Sequence, residues 1–326
     1  MSISSDSLVI LLLCSRLGLP ADPDPAPLNL REWNLLARSL QAASLWPGDL
    51  LNLDLKDVIA QVDIAVEEAA RLSRLIERSG AIAIEMERLE SLGVHAITRA
   101  DNIYPQRYRQ KLKDSAPAVL FYAGNVELLG QPGIAVVGSR HLDQVGQECA
   151  AFIGNVCAWS GLVLYSGGAK GVDTISMDAA LEERGTAVGI LADNLEKAIR
   201  APATRAALSR GDLCLVTPYA PGAGFSVGAA MGRNKLIYSL SDFAIVVASD
   251  VEKGGTWAGA TEALKAGWLP VFILDHPDMP EGNRILLQMG GLAFPYPFPE
   301  KFSKLPEWLR IQSTSIQPKP TQLGLF

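Results

Sequence analysis

The sequence has few cysteines, few histidines and no hydrophobic run long enough to cross a membrane. Its four cysteines form no CxxC pair and lie mostly in apolar stretches, which favours buried thiols in a reducing compartment over disulfides. The three histidines are scattered without the spacing of a metal site, so the sequence predicts no bound metal. The apolar run at residues 8–14 has no basic flank before it and is too short for a membrane span, so we expect a core helix in a cytoplasmic protein.

Neither of the two common glycine-rich nucleotide motifs is present. No Gly-Lys-Ser/Thr follows a spaced glycine, as it would in a P-loop NTPase. Gly167, Gly168 and Gly171 give G-G-x-x-G rather than the G-x-G-x-x-G of dinucleotide-binding enzymes, and no clear acidic residue follows about 20 positions later. An NTPase or a dehydrogenase is therefore disfavoured, and the sequence predicts no cofactor.

The charge balance excludes a general polyanion binder. The chain carries 29 Lys and Arg against 35 Asp and Glu, a formal net charge of −6. Any nucleic-acid surface must therefore be a local basic patch on an acidic body. The length of 326 residues and a hydrophobic content of 48% suffice for two domains with full cores.

Short apolar runs alternate with helical patterns through the second half of the chain. The strand candidates are residues 134–137, 162–165, 187–191, 213–216, 244–248 and 271–274. Continuous apolar runs indicate strands buried on both faces, as in a parallel sheet covered by helices. Residues 28–44 and 57–78 have amphipathic helical patterns. We predict an α/β fold with a doubly wound, mainly parallel sheet, divided into a helical N-terminal domain (1–125), an α/β domain that carries the binding segments (126–297) and a flexible C-terminal tail (298–326).

Two turns place small residues and a cation where a buried strand opens into a helix. The first is Gly-Ser-Arg at residues 138–140, and the second is Ser-Gly-Gly-Ala-Lys-Gly at residues 166–171. Such turns at the carboxyl edge of a parallel sheet expose backbone N–H groups and helix N-termini, which attract phosphate. We expect Asp173, just after the second turn, to cap the helix or to accept from a loop amide rather than to act as a catalytic acid.

Two later segments add further cations, namely residues 231–237 and 253–257. One glycine turn is a weak signal, but four such segments in a row are a stronger one. The candidate phosphate-binding residues are Gly138, Ser139, Arg140, Ser166, Gly167, Gly168, Lys170, Gly171, Arg233, Asn234, Lys235, Lys253, Gly254, Gly255 and Thr256. Ordinary tight turns and surface ion pairs are the alternative interpretation. Tyr219 and Trp257 are candidates for base stacking, with ordinary packing as their alternative.

Taken together, these segments resemble the DprA/Smf family of bacterial DNA-processing proteins. The matching pieces are residues 137–140 with Gly146, residues 166–173, residues 233–237 and Gly282-Asn283. The resemblance covers about residues 94–294 and implies an extended Rossmann-like domain, single-stranded DNA binding, homodimerisation through that domain and delivery of a RecA-like recombinase, without catalytic turnover. Lys170 stands where the family usually has arginine, and no pattern of the family's frequent C-terminal winged helix is found, which marks a divergent member.

The end of the chain carries a separate signal. Gln322, Leu323, Leu325 and Phe326 resemble the short peptide by which bacterial proteins bind the replicative sliding clamp. Such a peptide buries its Leu and Phe side chains in a preformed apolar pocket. A chain end without function is the alternative.

Two other functions stay open. Gly254, Gly255 and Thr256, with Glu262 six positions later, resemble the lysine-decarboxylase-like phosphoribohydrolases, which cleave a base from ribose phosphate. In that case Arg233 would hold the phosphate, although the fuller Pro-Gly-Gly-x-Gly-Thr signature is not present. The third function is a nucleotide-sensing module in phage defence, binding a small nucleotide in the same pocket.

Overall fold

The computed structural model describes residues 3–20, 22–62, 64–299, 301 and 304–314. Its strands are β1 (Val94–Thr98), β2 (Val119–Gly124), β3 (Gly133–Val137), β4 (Val163–Ser166), β5 (Thr186–Ile190), β6 (Leu213–Thr217), β7 (Phe243–Val246), β8 (Val271–Asp275) and β9 (Leu292–Pro295). Its α-helices are α1 (Ser5–Cys14), α2 (Leu30–Ala42), α3 (Leu55–Val62), α4 (Val66–Ile76), α5 (Ser79–Ser91), α6 (Gln106–Leu112), α7 (Gln144–Trp159), α8 (Val172–Glu182), α9 (Leu195–Ala198), α10 (Pro202–Arg210), α11 (Val227–Leu240), α12 (Gly254–Ala266), α13 (Glu281–Gln288) and α14 (Leu305–Thr314). Short 3₁₀ helices lie at Pro47–Leu51, Lys113–Ser115 and Val126–Gly130.

Within the described residues, nine strands form one sheet in the order β1-β2-β6-β5-β4-β3-β7-β8-β9. Parallel pairs join β3 to β4 and β7, β7 to β8, and β8 to β9. Antiparallel pairs join β2 to β1 and β6. The chain places β4, β5 and β6 on one side of β3 and β7, β8 and β9 on the other, so the strand order reverses between β3 and β7. The predicted α/β fold with a doubly wound, mainly parallel sheet is confirmed.

The apolar runs located the six predicted strands to within two residues at each end. The short strand β9 was missed, since four residues give little pattern. The helix predicted over 57–78 is wrong in one respect, because it is two helices, α3 and α4. Ala65, before α4, has an extended backbone with φ −63° and ψ 150°. No helix in the described ranges is long and apolar enough to span a bilayer.

The chain divides into two compact units, one comprising Met1–Gly130 with Gly189–Arg233 and the other Gln131–Val188 with Asn234–Phe326. In the first unit, α1 is a core helix as predicted, and the side chains at residues 9–13 are at most 2% exposed. Arg78 closes its C-terminal end by donating to the carbonyl oxygens of Ser15 at 2.8 Å and Leu17 at 2.7 Å. The domain bounds drawn from the sequence stay predictions.

In the second unit, α7 and α8 lie in close backbone contact. A Cβ on Gly154 would stand 2.3 Å from the carbonyl oxygen of Ser176. Cys149 and Cys157, on α7, are fully buried, and burial raises the pKa of both thiols to about 12. They are therefore neutral core residues, as the sequence predicted.

One part of the predicted flexible tail is folded, so that prediction is corrected. Residues of α14 pack on the second unit, with Leu305 and Leu309 fully buried. The Trp308 ring lies 5.7 Å from the ring of Phe272 and 6.0 Å from that of Phe294. Apolar burial of one helix face offsets the polar content that suggested flexibility.

Candidate nucleic-acid interface

The site is built where the strand order reverses, because the loops after β3 and β7 leave that point of the sheet side by side. Gly138 follows β3, and a Cβ there would stand 2.3 Å from Val172 Cγ2. Ser139 donates its N–H to the carbonyl of Ala248, which follows β7, at 2.8 Å. The carbonyl of Ser139 accepts from the N–H of Val172, at the start of α8, at 3.4 Å. Residues after β3, after β7 and at the start of α8 thus meet at one edge of the second unit.

The loop between β4 and α8 is closed by its own carboxylate. Asp173, 6% exposed, accepts from the N–H groups of Gly167 at 3.1 Å and Ala169 at 3.3 Å. Asp173 is therefore a partner of loop amides, as the sequence predicted. Because these two N–H groups already donate to the Asp173 carboxylate, they stabilise the loop rather than bind a phosphate.

Other residues of this loop separate into structural and exposed positions. The Ser166 hydroxyl is buried and donates to the carbonyl of Val136 at 2.7 Å. Gly168 and Gly171 have φ of +66° and +89°, a region that side chains rarely adopt. Lys170 is exposed, and no ion pair of the described residues includes it. Its ammonium is therefore available to an external anion.

The loop between β7 and α12 is held by side chains from other helices. Asn234, on α11, donates from Nδ2 to the carbonyl of Gly255 at 2.7 Å, and a Cβ on Gly255 would stand 2.6 Å from that nitrogen. Lys253 is exposed, and Gly254 after it has φ +76°. Lys235 and Thr256 are half-buried. Asn234 therefore positions the loop that carries Lys253.

Asn283, on α13, also holds the loop after β7, and it was not among the predicted site residues. It is fully buried, and its Oδ1 accepts from the N–H of Ser249 at 2.9 Å. Its Nδ2 donates to the carbonyls of Val247 at 3.0 Å and Leu274 at 3.1 Å. Asn283 therefore ties the loop after β7 to the end of β8. The pair Gly282-Asn283 was cited only among the segments that resemble the family.

Arg233 differs from the other predicted cations. Its side chain is 6% exposed and donates from Nη1 to the backbone carbonyl of Ile190, within the first unit. The sequence held a signal for this burial, because Arg233 shares the spacing i, i+3, i+4, i+7 with Leu236, Ile237 and Leu240, all at most 2% exposed. Its predicted role in phosphate binding stays a prediction.

Charge is unevenly distributed along this edge of the second unit. On the side of β3 and β4, Arg140 and Lys170 are both exposed. On the side of β7, Lys253 is exposed beside Asp250 and Glu252, which are exposed as well. Asp143, at the start of α7, is exposed as well, so the β3–β4 side has two exposed cations and one carboxylate, and the β7 side one cation and two carboxylates. The balance favours a polyanion on the β3–β4 side.

A small cleft of about 60 Å³ lies next to this edge, between the segments that follow β3 and β7 and the end of β8. Its lining includes His141, Val247, Leu274 and His276, with Asp278 at one wall. The Nδ1 of His276 accepts from the N–H of Asp278 at 3.2 Å. Glu262, which the phosphoribohydrolase alternative includes, is exposed on α12, and it is not among the residues that line this cleft.

Comparison with known proteins adds a family and several relatives. The sequence pattern of the family "DNA recombination-mediator protein A" matches residues 95–296. DNA processing protein DprA of Streptococcus pneumoniae is 30% identical over 183 residues, which are 54% of this chain and 63% of that protein. Protein Smf of Escherichia coli K12 is 26% identical over 248 residues, which are 74% of this chain and 64% of that protein. The chain thus matches less than two thirds of the length of either relative.

Two solved structures share the fold. That of DNA processing protein A from Streptococcus pneumoniae has a TM-score of 0.68 at 21% identity and covers 90% of this chain and 95% of that one. That of DNA processing protein A from Helicobacter pylori, described for its single-stranded DNA binding mode, has a TM-score of 0.50 at 24% identity and covers 61% of this chain and 90% of that one. At these identities the likeness concerns the fold.

Proposed function

This chain belongs to the DNA recombination-mediator protein A family, and on that premise we propose that it binds single-stranded DNA at the edge formed by the loops after β3 and β4. The relative from Helicobacter pylori, described as a single-stranded DNA binder, supports the ligand class. We further propose that the bound protein delivers a RecA-like recombinase to the strand, that two copies associate through the Rossmann-like domain, and that no catalytic turnover occurs.

One observation carries the DNA-binding proposal, namely the meeting of the loops after β3, β4 and β7. Ser139 bonds to both neighbouring loops, and the residue after it, Arg140, is exposed beside the loop that bears Lys170. Two exposed cations on backbone fixed by hydrogen bonds form a site whose shape exists before the ligand arrives. Such preorganisation lowers the entropic cost of binding.

The uneven charge of the edge supports a preference for single strands. Phosphates lie best along Arg140 and Lys170, while Asp250 and Glu252 repel a second backbone on the β7 side. A flexible single strand satisfies the basic side alone, and its unstacked bases are free to contact aromatic groups. Trp257, half-buried near the start of α12, is our candidate for such a contact.

The sliding clamp is a further proposed partner. The residues assigned to it, Gln322, Leu323, Leu325 and Phe326, lie outside the described residues. Removing the last five residues should abolish co-elution with the clamp. Unchanged co-elution, or none with the intact chain, would contradict this assignment.

A gel-shift series with single- and double-stranded oligonucleotides of equal length, at two salt concentrations, tests the main proposal. We expect tighter binding to the single strand and a log–log salt slope of about −0.7 per phosphate contact. Equal affinity for both forms would contradict the proposed mode. Incubation with nucleoside monophosphates, followed by a search for free base, tests the phosphoribohydrolase alternative in the same preparation.

A further inference from the structure

The unit formed by Met1–Gly130 and Gly189–Arg233 contains an open cleft of about 250 Å³. Its walls come from α1, α5, β1, β2 and the turn after β1. Leu11, Met86, Ile97 and Ile103 supply apolar surface. This volume lies just below the range of about 300–1,000 Å³ that is usual for small-molecule sites, so the cleft suits a small ligand.

An aromatic surface forms one side of this cleft. His95 on β1 and Tyr122 on β2 are paired in register, and their ring centroids lie 5.4 Å apart at an angle of 37°. Directly opposed residues of an antiparallel pair project to the same face of the sheet, so both rings line the cleft. Because Tyr122 is 8% exposed and His95 is half-buried, a planar heteroaromatic ligand would stack on the His95 ring, beside the Tyr122 hydroxyl.

The Tyr122 hydroxyl supplies a polar group without a partner in the fold. Tyr122 is 8% exposed, and no described residue forms a hydrogen bond with its hydroxyl. Burial raises the pKa of Tyr122, and the nearby Cys214 and Asp101 add to that effect. The group is therefore a neutral phenol that can donate one hydrogen bond to a ligand in the cleft.

The charge of the cleft selects against phosphate. No lysine or arginine is among its described lining residues, whereas Glu90 and Asp101 are. Asp101 is fixed in place, since its carboxylate accepts from the Ser7 hydroxyl at 2.7 Å and from the Thr98 N–H at 2.6 Å. Glu90 is exposed at the rim and forms no ion pair with any described residue, so it can accept from an amino group.

We propose that this cleft binds an uncharged nucleobase carrying an amino group, with adenosine as the representative ligand. The base stacks against His95, the Tyr122 hydroxyl beside it donates to a ring nitrogen, and Glu90 accepts from the exocyclic amine. This inference concerns a different set of residues from the proposed DNA interface and does not rest on it.

Calorimetric titration of the full chain with adenosine, uridine and AMP tests the proposal. We expect saturable binding of adenosine and at least about tenfold weaker binding of AMP, because its phosphate approaches two carboxylates. Uridine should also bind more weakly, because it presents a carbonyl where adenosine presents an amine. Absence of adenosine binding, or equal binding of adenosine and AMP, would overturn the proposal.

Two variants locate the site. Tyr122→Phe keeps the ring and should weaken adenosine binding about 2- to 10-fold, the effect of one hydrogen bond, whereas the control Tyr296→Phe should leave it unchanged. Ile103→Trp alters a 38% exposed residue of the cleft, which the fold should tolerate, and should block binding. Undiminished adenosine binding by the Ile103 variant would place the ligand elsewhere. The single-stranded DNA affinity of both variants should equal that of the parent, so failure here is distinguishable from failure of the DNA proposal.

Discussion

The loops after β4 and β7 lie at the same edge of the sheet, yet they are held in different ways. The β4–α8 loop is closed by Asp173, which stands six residues after Gly167 and accepts from its N–H. The β7–α12 loop is held from outside, by Asn234 of α11 and Asn283 of α13. The first loop therefore takes its shape from local sequence, whereas the second depends on distant helices being in place.

Loss of Asn283, which holds the β7–α12 loop from another helix, should lower the free energy of unfolding the most. Asn283→Ala leaves the N–H of Ser249 and two buried carbonyls without their partner. We expect the free energy of unfolding to fall by about 3 kcal/mol, as is usual when buried hydrogen-bond partners are lost together. Urea denaturation measures it. The control Asn102→Ala, at an exposed asparagine, should change stability by less than about 0.5 kcal/mol, and equal losses in the two variants would refute the contrast.

Loss of the Asp173 charge, which closes the β4–α8 loop locally, should lower the free energy of unfolding less. Asp173→Asn keeps one oxygen that can accept from the loop amides but removes the charge that strengthens both bonds. We expect a loss of about 1–2 kcal/mol in the free energy of unfolding. Asp178→Asn changes an exposed carboxylate on the same helix and is the matched control. A stability loss no greater than that of the control would show that the loop does not need the Asp173 charge.

This contrast also explains what could be predicted from the sequence. The strands and the role of Asp173 were predictable because apolar runs and a carboxylate near a helix start are local signals. The role of Asn283 was not, since its partner Ser249 lies 34 positions away. Arg233 was assigned to a ligand from its charge, and its place on the buried face of α11 was overlooked although the spacing indicates it. Charge marks a candidate cation, but the helical period shows which way it faces.

Removing the two exposed cations of the β3–β4 side tests whether that side binds DNA more strongly than the β7 side. The double variant Arg140→Ala/Lys170→Ala should bind single-stranded DNA about tenfold more weakly near 0.1 M salt, or about 1.4 kcal/mol. Its log–log salt slope should become shallower by about 0.7 for each lost phosphate contact, or about 1.4 in total. Gel shifts at several salt concentrations measure both quantities.

A matched control removes the same number of charges elsewhere. Arg205 and Lys265 are exposed residues of α10 and α12 that lie in no predicted binding segment. The variant Arg205→Ala/Lys265→Ala should keep the affinity and the salt slope of the parent. If both double variants weaken binding equally, the effect is one of net charge, and the proposed site is wrong.

Changes on the β7 side should have the smallest effect on DNA affinity, and whether they raise or lower it distinguishes attraction from repulsion there. Lys253→Ala removes a cation whose attraction for phosphate is already offset by Asp250 and Glu252, so single-stranded DNA affinity should fall less than about twofold. Asp250→Asn/Glu252→Gln removes the opposing charges and should raise affinity for duplex more than for single strands, because the second backbone is then no longer repelled. The same gel shifts, run with both DNA forms, give the ratio of the two affinities. A ratio unchanged by the acidic variant would mean that strand preference arises from the bases rather than from repulsion on the β7 side.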